Sequence, residues 1–131
     1  MALTTGNALI PMADQRHITV TSLTSNGWGY RDGPTAQAQF SMPWGIAVLL
    51  SGSVLVVDCG DHRVRMITAD GKEVSTVAGT GQAGHQDGPA AQARFRYPAG
   101  VVVLSDGRIL IADWGNDRIR LLSADLQEVS T

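Results

Sequence analysis

The chain aligns with itself at an offset of 55 residues. Tyr30–Thr76 lies over His85–Thr131 without a gap, and 23 of the 47 paired positions are identical. Agreement that dense at one fixed period marks a single supersecondary unit used twice, so any fold proposed for one copy must serve both. Unlike residue types recur together: Asp32/Asp87, Gly33/Gly88, Pro34/Pro89, Phe40/Phe95, Pro43/Pro98, Gly45/Gly100, Asp58/Asp113, Arg63/Arg118 and Arg65/Arg120.

Each copy predicts four short strands. The first is GIAVLL after Pro43 and GVVVLS after Pro98. The second is SVLVVD or RILIAD, reached through tight Ser-Gly and Asp-Gly turns. The third, RVRMIT or RIRLLS, alternates charged and apolar residues, and the fourth is EVSTVAG or EVST. The first two are almost continuously apolar, as strands covered on both faces are, whereas the last two carry polar residues and belong further out. With fifteen glycines and five prolines between short apolar runs, the chain is assigned to the all-β class, as β-propeller blades of four antiparallel strands. The offset carried backwards lays NALIPM over HRVRMI and ITVT over EVST, with Pro11 where Met66 and Leu121 stand. The expected organisation is therefore a degraded partial blade over 1–25 (third and fourth strands only), then full blades over 26–79 and 80–131.

The strings DGPTAQAQFSMPWG, VVDCGDHRVR and VSTVAGTG in the first copy, and DGPAAQARFRYPAG, IADWGNDRIR and VST in the second, resemble the NHL repeat. That resemblance implies a β-propeller that binds protein or RNA on the open faces of its disc, with a minority, similar to the amidating lyase, holding metals there. Closed propellers need roughly four to eight blades. Two blades and part of a third make an incomplete ring with open faces and unpaired edges. The ring is expected to close by self-association, three copies giving six full blades, by a protein partner, or within a longer protein.

Asp58, Arg63, Arg65, Asp113, Arg118 and Arg120 sit where the second strand ends and the third begins. Their repetition marks them as structural positions, expected to tie blade to blade through hydrogen bonds. Residues that differ between copies are free for binding. Trp28, Tyr30, Arg31, Trp44, Arg96, Tyr97 and Trp114 all fall in loops that emerge on one side of the disc, and aromatic and arginine residues on loops are the usual anchors of protein interfaces. No catalytic residue is assigned: Cys59 has Trp in its place in the other copy and no companion His or Asn. No metal or cofactor is assigned, because His17, His62 and His85 occupy different registers and form no ligand pair at short spacing. The glycine-rich GTGQAGHQDG lacks the Lys-Ser or Lys-Thr of a phosphate loop and reads as a turn.

These features point to a non-catalytic scaffold for protein interaction or assembly. The alternatives are an RNA-binding propeller, disfavoured by a net charge of −2 and mostly repeated arginines, and part of a metal-dependent propeller lyase or hydrolase. The opening MALTTGNALIPMADQ has no basic stretch before an apolar core, so no secretory leader is expected, and no apolar run approaches the length of a membrane span.

Overall fold

A computed structural model describes residues 2–5, 8–11 and 19–131. Strands β1 (Ala2–Thr5) and β2 (Ala8–Pro11) pair antiparallel. Of the partial blade expected over 1–25, residues 1, 6–7 and 12–18 lie outside those described; β2 falls within its expected third strand, and the described residues 19–21 of its expected fourth hold no strand.

The two full copies fold as two sheets. In the first, β4 (Pro43–Val48), β5 (Val54–Asp58), β6 (Arg63–Ile67) and β7 (Glu73–Ala78) are the four predicted strands in antiparallel order. In the second, β9 (Pro98–Val103), β10 (Ile109–Asp113), β11 (Arg118–Leu122) and β12 (Glu128–Ser130) repeat them. Each sheet also gains a two-residue strand outside the fourth: β3 (Gly33–Pro34) on β7 and β8 (Gly88–Pro89) on β12. These are β-propeller blades, and two of them leave the ring incomplete.

Each first strand starts with a bulge. Pro43 pairs with Asp58 and Gly45 with Val57, so Trp44 is the extra residue; Ala99 is its twin in β9. A proline without an N–H is tolerated at a strand's first position, and the bulge re-aims the side chain that follows it.

The blades stack back to front. The back of the first blade, with Leu55 and Val64, packs on the front of the second, with Phe95, Ile109, Ile111, Leu122 and Val129, and all of these are buried. The first blade's front has its own cluster of Ala38, Val56, Ile67 and Val74, but its outer layer is open: Ile46 is 68% exposed and Val48 64%. The first strand was expected to be covered on both faces. In β4 it is not, because among the described residues no blade stands in front of it.

The repeated charges lie inside the blades. Arg65 is completely buried and donates five hydrogen bonds: to Asp32 Oδ1 from Nε and Nη2, to Asp58 Oδ2, and to the carbonyls of Arg31 and Gln39. Arg120 does the same with Asp87, Asp113 and the carbonyls of Gln86 and Arg94. A guanidinium has five N–H donors, so each buried cation is fully satisfied. The expectation that these residues tie blade to blade is corrected here. Asp58, Arg65, Asp113 and Arg120 use all their bonds to fasten the incoming loop to strands of their own blade. Arg63 alone of this set reaches the next blade, donating to the Thr80 carbonyl at 2.7 Å while paired with Asp61, and Arg118 lies exposed.

Candidate functional site

At the end of the sheets where β4 and β9 begin and β5 and β10 finish, the two blades enclose a cavity of about 550 Å³. Met42, Trp44 and Cys59 line it from the first blade, and Tyr97, Ala99 and Trp114 from the second. Each wall is built from the bulge that opens the first strand and the one-turn 3-10 helix after the second, Cys59–Asp61 or Trp114–Asn116.

Met42 and Tyr97, directly before Pro43 and Pro98, adopt left-handed backbone conformations with φ of 59° and 48°. Side chains larger than hydrogen rarely take this conformation and hold it only where the surroundings enforce it. The enforcement is visible. Asp58 Oδ1 accepts the Ser41 N–H at 2.8 Å, the Gly60 N–H donates to the Ser41 carbonyl at 2.8 Å, and the Cys59 N–H donates to the Met42 carbonyl at 3.2 Å. In the second blade Asp113 Oδ1 accepts the Arg96 N–H at 2.8 Å and the Gly115 N–H donates to the Arg96 carbonyl at 2.7 Å. Gly60 and Gly115 permit these approaches, since a Cβ on either would press on Ser41 Oγ at 2.6 Å or Arg96 Cγ at 2.7 Å. The repeated aspartates therefore also position the cavity walls.

One bond crosses between blades at the cavity rim. The Tyr97 N–H donates to His62 Nδ1 at 3.0 Å, and the two rings meet edge-on, with centroids 4.6 Å apart. His62 accepts at Nδ1 and is therefore neutral; burial holds its pKa below the ordinary value, against the pull of Asp61 and Asp113. Burial raises the Cys59 thiol, and the neighbouring Asp58 carboxylate adds to the effect, so the sulfur presents an apolar surface and not a thiolate. Burial also pushes Asp58 up to about 6, opposed by the Ser41 N–H and Arg65.

Of the residues chosen from sequence, the fold brings Trp44, Tyr97 and Trp114 together, with Trp44 69% and Trp114 70% exposed. It places the others elsewhere. Tyr30 is held in the blade: its hydroxyl bonds Asp32 and Thr76, and Arg63 lies 3.8 Å above its ring. Arg31 donates to Gln37 at 3.4 Å, Trp28 bridges Phe40 through its backbone and leaves its indole exposed, and Arg96 lies against Gly115. Met42 and Cys59 were missed as lining residues. The signal was present, because they are the twins of Tyr97 and Trp114. Among the described residues no three His, Cys, Asp or Glu side chains cluster in a way that suits a metal ion.

The sequence matches the NHL repeat family over residues 40–66 and 95–120. It is 32% identical over 103 residues to Protein SUPPRESSOR OF QUENCHING 1, chloroplastic, of Arabidopsis thaliana, covering 79% of this chain and 10% of that protein. It is 29% identical over 106 residues to NHL repeat-containing protein 2 of Gallus gallus, covering 79% and 15%. Two solved structures from Bacteroides thetaiotaomicron resemble the fold. A structural genomics protein of unknown function has a TM-score of 0.67 at 31% identity, over 77% of this chain and 24% of that one. An auxiliary nutrient binding protein has a TM-score of 0.62 at 25% identity, over 78% and 26%. The chain thus spans about a tenth to a quarter of these relatives' own length.

Proposed function

We propose, from the premise that this chain belongs to the NHL-repeat proteins and is built of their β-propeller blades, that it is a non-catalytic protein-interaction scaffold whose inter-blade cavity receives an apolar anchor from a partner. The observation that supports this reading most is the convergence of Trp44, Tyr97 and Trp114 from two blades on one concave apolar surface. The repeat does not require these residues, since their twins are Ala99, Met42 and Cys59. Large rigid aromatic rings in a pre-formed pocket supply contact area at low cost in conformational entropy and are the commonest hot spots of protein interfaces. The lining offers no arginine or lysine, so it is poorly suited to a phosphate backbone. It also offers no carboxylate or imidazole for proton transfer, and its thiol is held protonated. The neighbour named an auxiliary nutrient binding protein favours a second reading, in which the same cavity takes a small molecule.

Selection of a displayed random-peptide library on the chain tests the proposal. The expected result is a set of peptides sharing one apolar or aromatic anchor, whose affinity falls at least about tenfold in the Trp44→Ala/Trp114→Ala variant, a loss of about 1.4 kcal/mol. The double variant should unfold at the wild-type midpoint, because both indoles are mostly exposed. If no peptide is enriched, or if the enriched peptides bind the variant equally well, the reading is wrong.

A further inference from the structure

Among the described residues two blade surfaces stand open, the first blade's front, bordered by Leu23 and Thr24, and the second blade's back, and they are the two halves of an interface that the chain already contains. Phe40, Ile46 and Val48 on the open front of the first blade are the twins of Phe95, Val101 and Val103, which pack toward the first blade's back. On the open back of the second blade, Val102 (57% exposed) and Ile119 (59%) are the twins of Ala47 and of the fully buried Val64.

Three details at the second blade's back match this approach. Gly45 must be glycine, because a Cβ there would collide with the Ala99 carbonyl oxygen of the next blade. Gly100, its twin, meets only Ala112 Cβ at 3.4 Å, an ordinary contact, so nothing in the described chain requires glycine at that position. Asp117 is the twin of His62 and shares its left-handed backbone, with φ of 54° against 57°; it presents a carboxylate where His62 presents its accepting nitrogen. On the opposite surface Met42 is the twin of Tyr97, and its N–H has no acceptor among the described residues.

We infer that a second copy of this chain docks back to front, with its first blade seated on the second blade here. The incoming Met42 N–H meets Asp117, and the incoming Trp44 carbonyl passes over Gly100. The joint juxtaposes Tyr97, Ala99 and Trp114 with Met42, Trp44 and Cys59 of the incoming copy, the same six residue types as in the cavity within the chain but each at its twin's place. A contact between two different surfaces repeats from copy to copy, and it closes into a ring when the turn from blade to blade divides the circle, as it does in a propeller. The inference rests on the propeller reading of the chain but not on what the cavity binds, because a complete cavity already exists within one copy.

The test is absolute molar mass by light scattering on a sizing column across a concentration series. Wild type is expected to pass from the chain mass of 13.8 kDa to a discrete multiple of it, and Gly100→Ala is expected to remain at 13.8 kDa with wild-type circular dichroism. A second pair of variants guards against misfolding. Ile46→Asp spoils only the front and Ile119→Asp only the back, both at exposed positions. Each alone should be monomeric, and the two mixed should give a one-to-one complex of twice the chain mass. Wild type that stays at 13.8 kDa throughout, Gly100→Ala that assembles as wild type does, or a mixed pair that stays monomeric would each overturn the inference. None of these outcomes alters the peptide selection, so the two readings fail separately.

Discussion

Phe95 and Phe40 occupy the same position in two copies of one blade, and they differ in what covers them. Phe95 is completely buried beneath the first blade and lies 4.9 Å from the Arg120 guanidinium. Phe40 keeps the equivalent partner, Arg65 at 4.5 Å, but is only half-buried because its outer side faces the open front. Truncating a buried Phe to Ala costs about 3–5 kcal/mol, from lost transfer energy and the cavity left behind. Phe95→Ala should therefore lose that amount. Phe40→Ala, which already pays for one wet side, should lose about 1–2 kcal/mol, since complete burial of such a side chain contributes about 1.5–3 kcal/mol. The experiment is urea unfolding followed by far-ultraviolet circular dichroism. Both substitutions are placed in the Gly100→Ala background at low concentration, which keeps self-association out of the comparison. The two losses differ by about 1–4 kcal/mol, so with a slope of about 1–3 kcal/mol per molar urea the Phe95→Ala midpoint should fall below that of Phe40→Ala by about 0.3–4 M at unchanged slope. Equal losses at the two sites would refute the reasoning, because the stability of Phe95 would then owe nothing to the neighbouring blade.

Two further outcomes follow from the polar contacts. Asp113→Ala removes the fully buried one of the two carboxylates that neutralise Arg120 and should lower stability by about 3–5 kcal/mol in the same unfolding assay, whereas Asp106→Ala, which breaks the exposed pair with Arg108, should leave the midpoint where it is. His62 titrates below its ordinary 6.5 in the folded state, so as pH falls the unfolded chain takes up the proton first; its contribution is complete above about 6.5 and is lost below it. Unfolding of wild type and His62→Gln, compared near pH 7.5 and near pH 5.5, should show the wild-type advantage shrinking in acid, and an advantage that stays constant would show that the Tyr97 N–H bond to His62 is not coupled to protonation.

The strands were legible because their signal is local and stated twice: β5 and β10 are apolar runs closed by an aspartate, and β6 and β11 alternate with Arg65 and Arg120 at matching places. The outer strands β3 and β8 were not, since a Gly-Pro pair has no periodicity and gains its partner only when the loop wraps the blade. Trp44, Tyr97 and Trp114 were readable as residues the repeat does not demand. That argument could not separate them from Tyr30, whose capture by Arg63 and Thr76 depends on contacts 33 and 46 residues away in sequence. His62 was set aside because the three histidines share no register and form no ligand pair at short spacing, and its twin is Asp117. What the two share is the capacity to accept a hydrogen bond from a left-handed position, a similarity of chemistry that comparison of identities does not detect.

The closure of each Arg–Asp network within its own blade has a consequence for how such a protein changes over generations. Every buried charge travels with the residues that neutralise it, so a duplication of 55 residues delivers a blade whose polar interior is already complete. What a new neighbour must match is mostly apolar surface, which tolerates substitution at nearly constant volume. Ile46 against Val101 and Val64 against Ile119 are such exchanges. Blade number can thus be altered by copying or deleting a unit without stranding a charge, and selection is left free to work on loop residues such as Trp44 and Trp114, where the copies have already diverged.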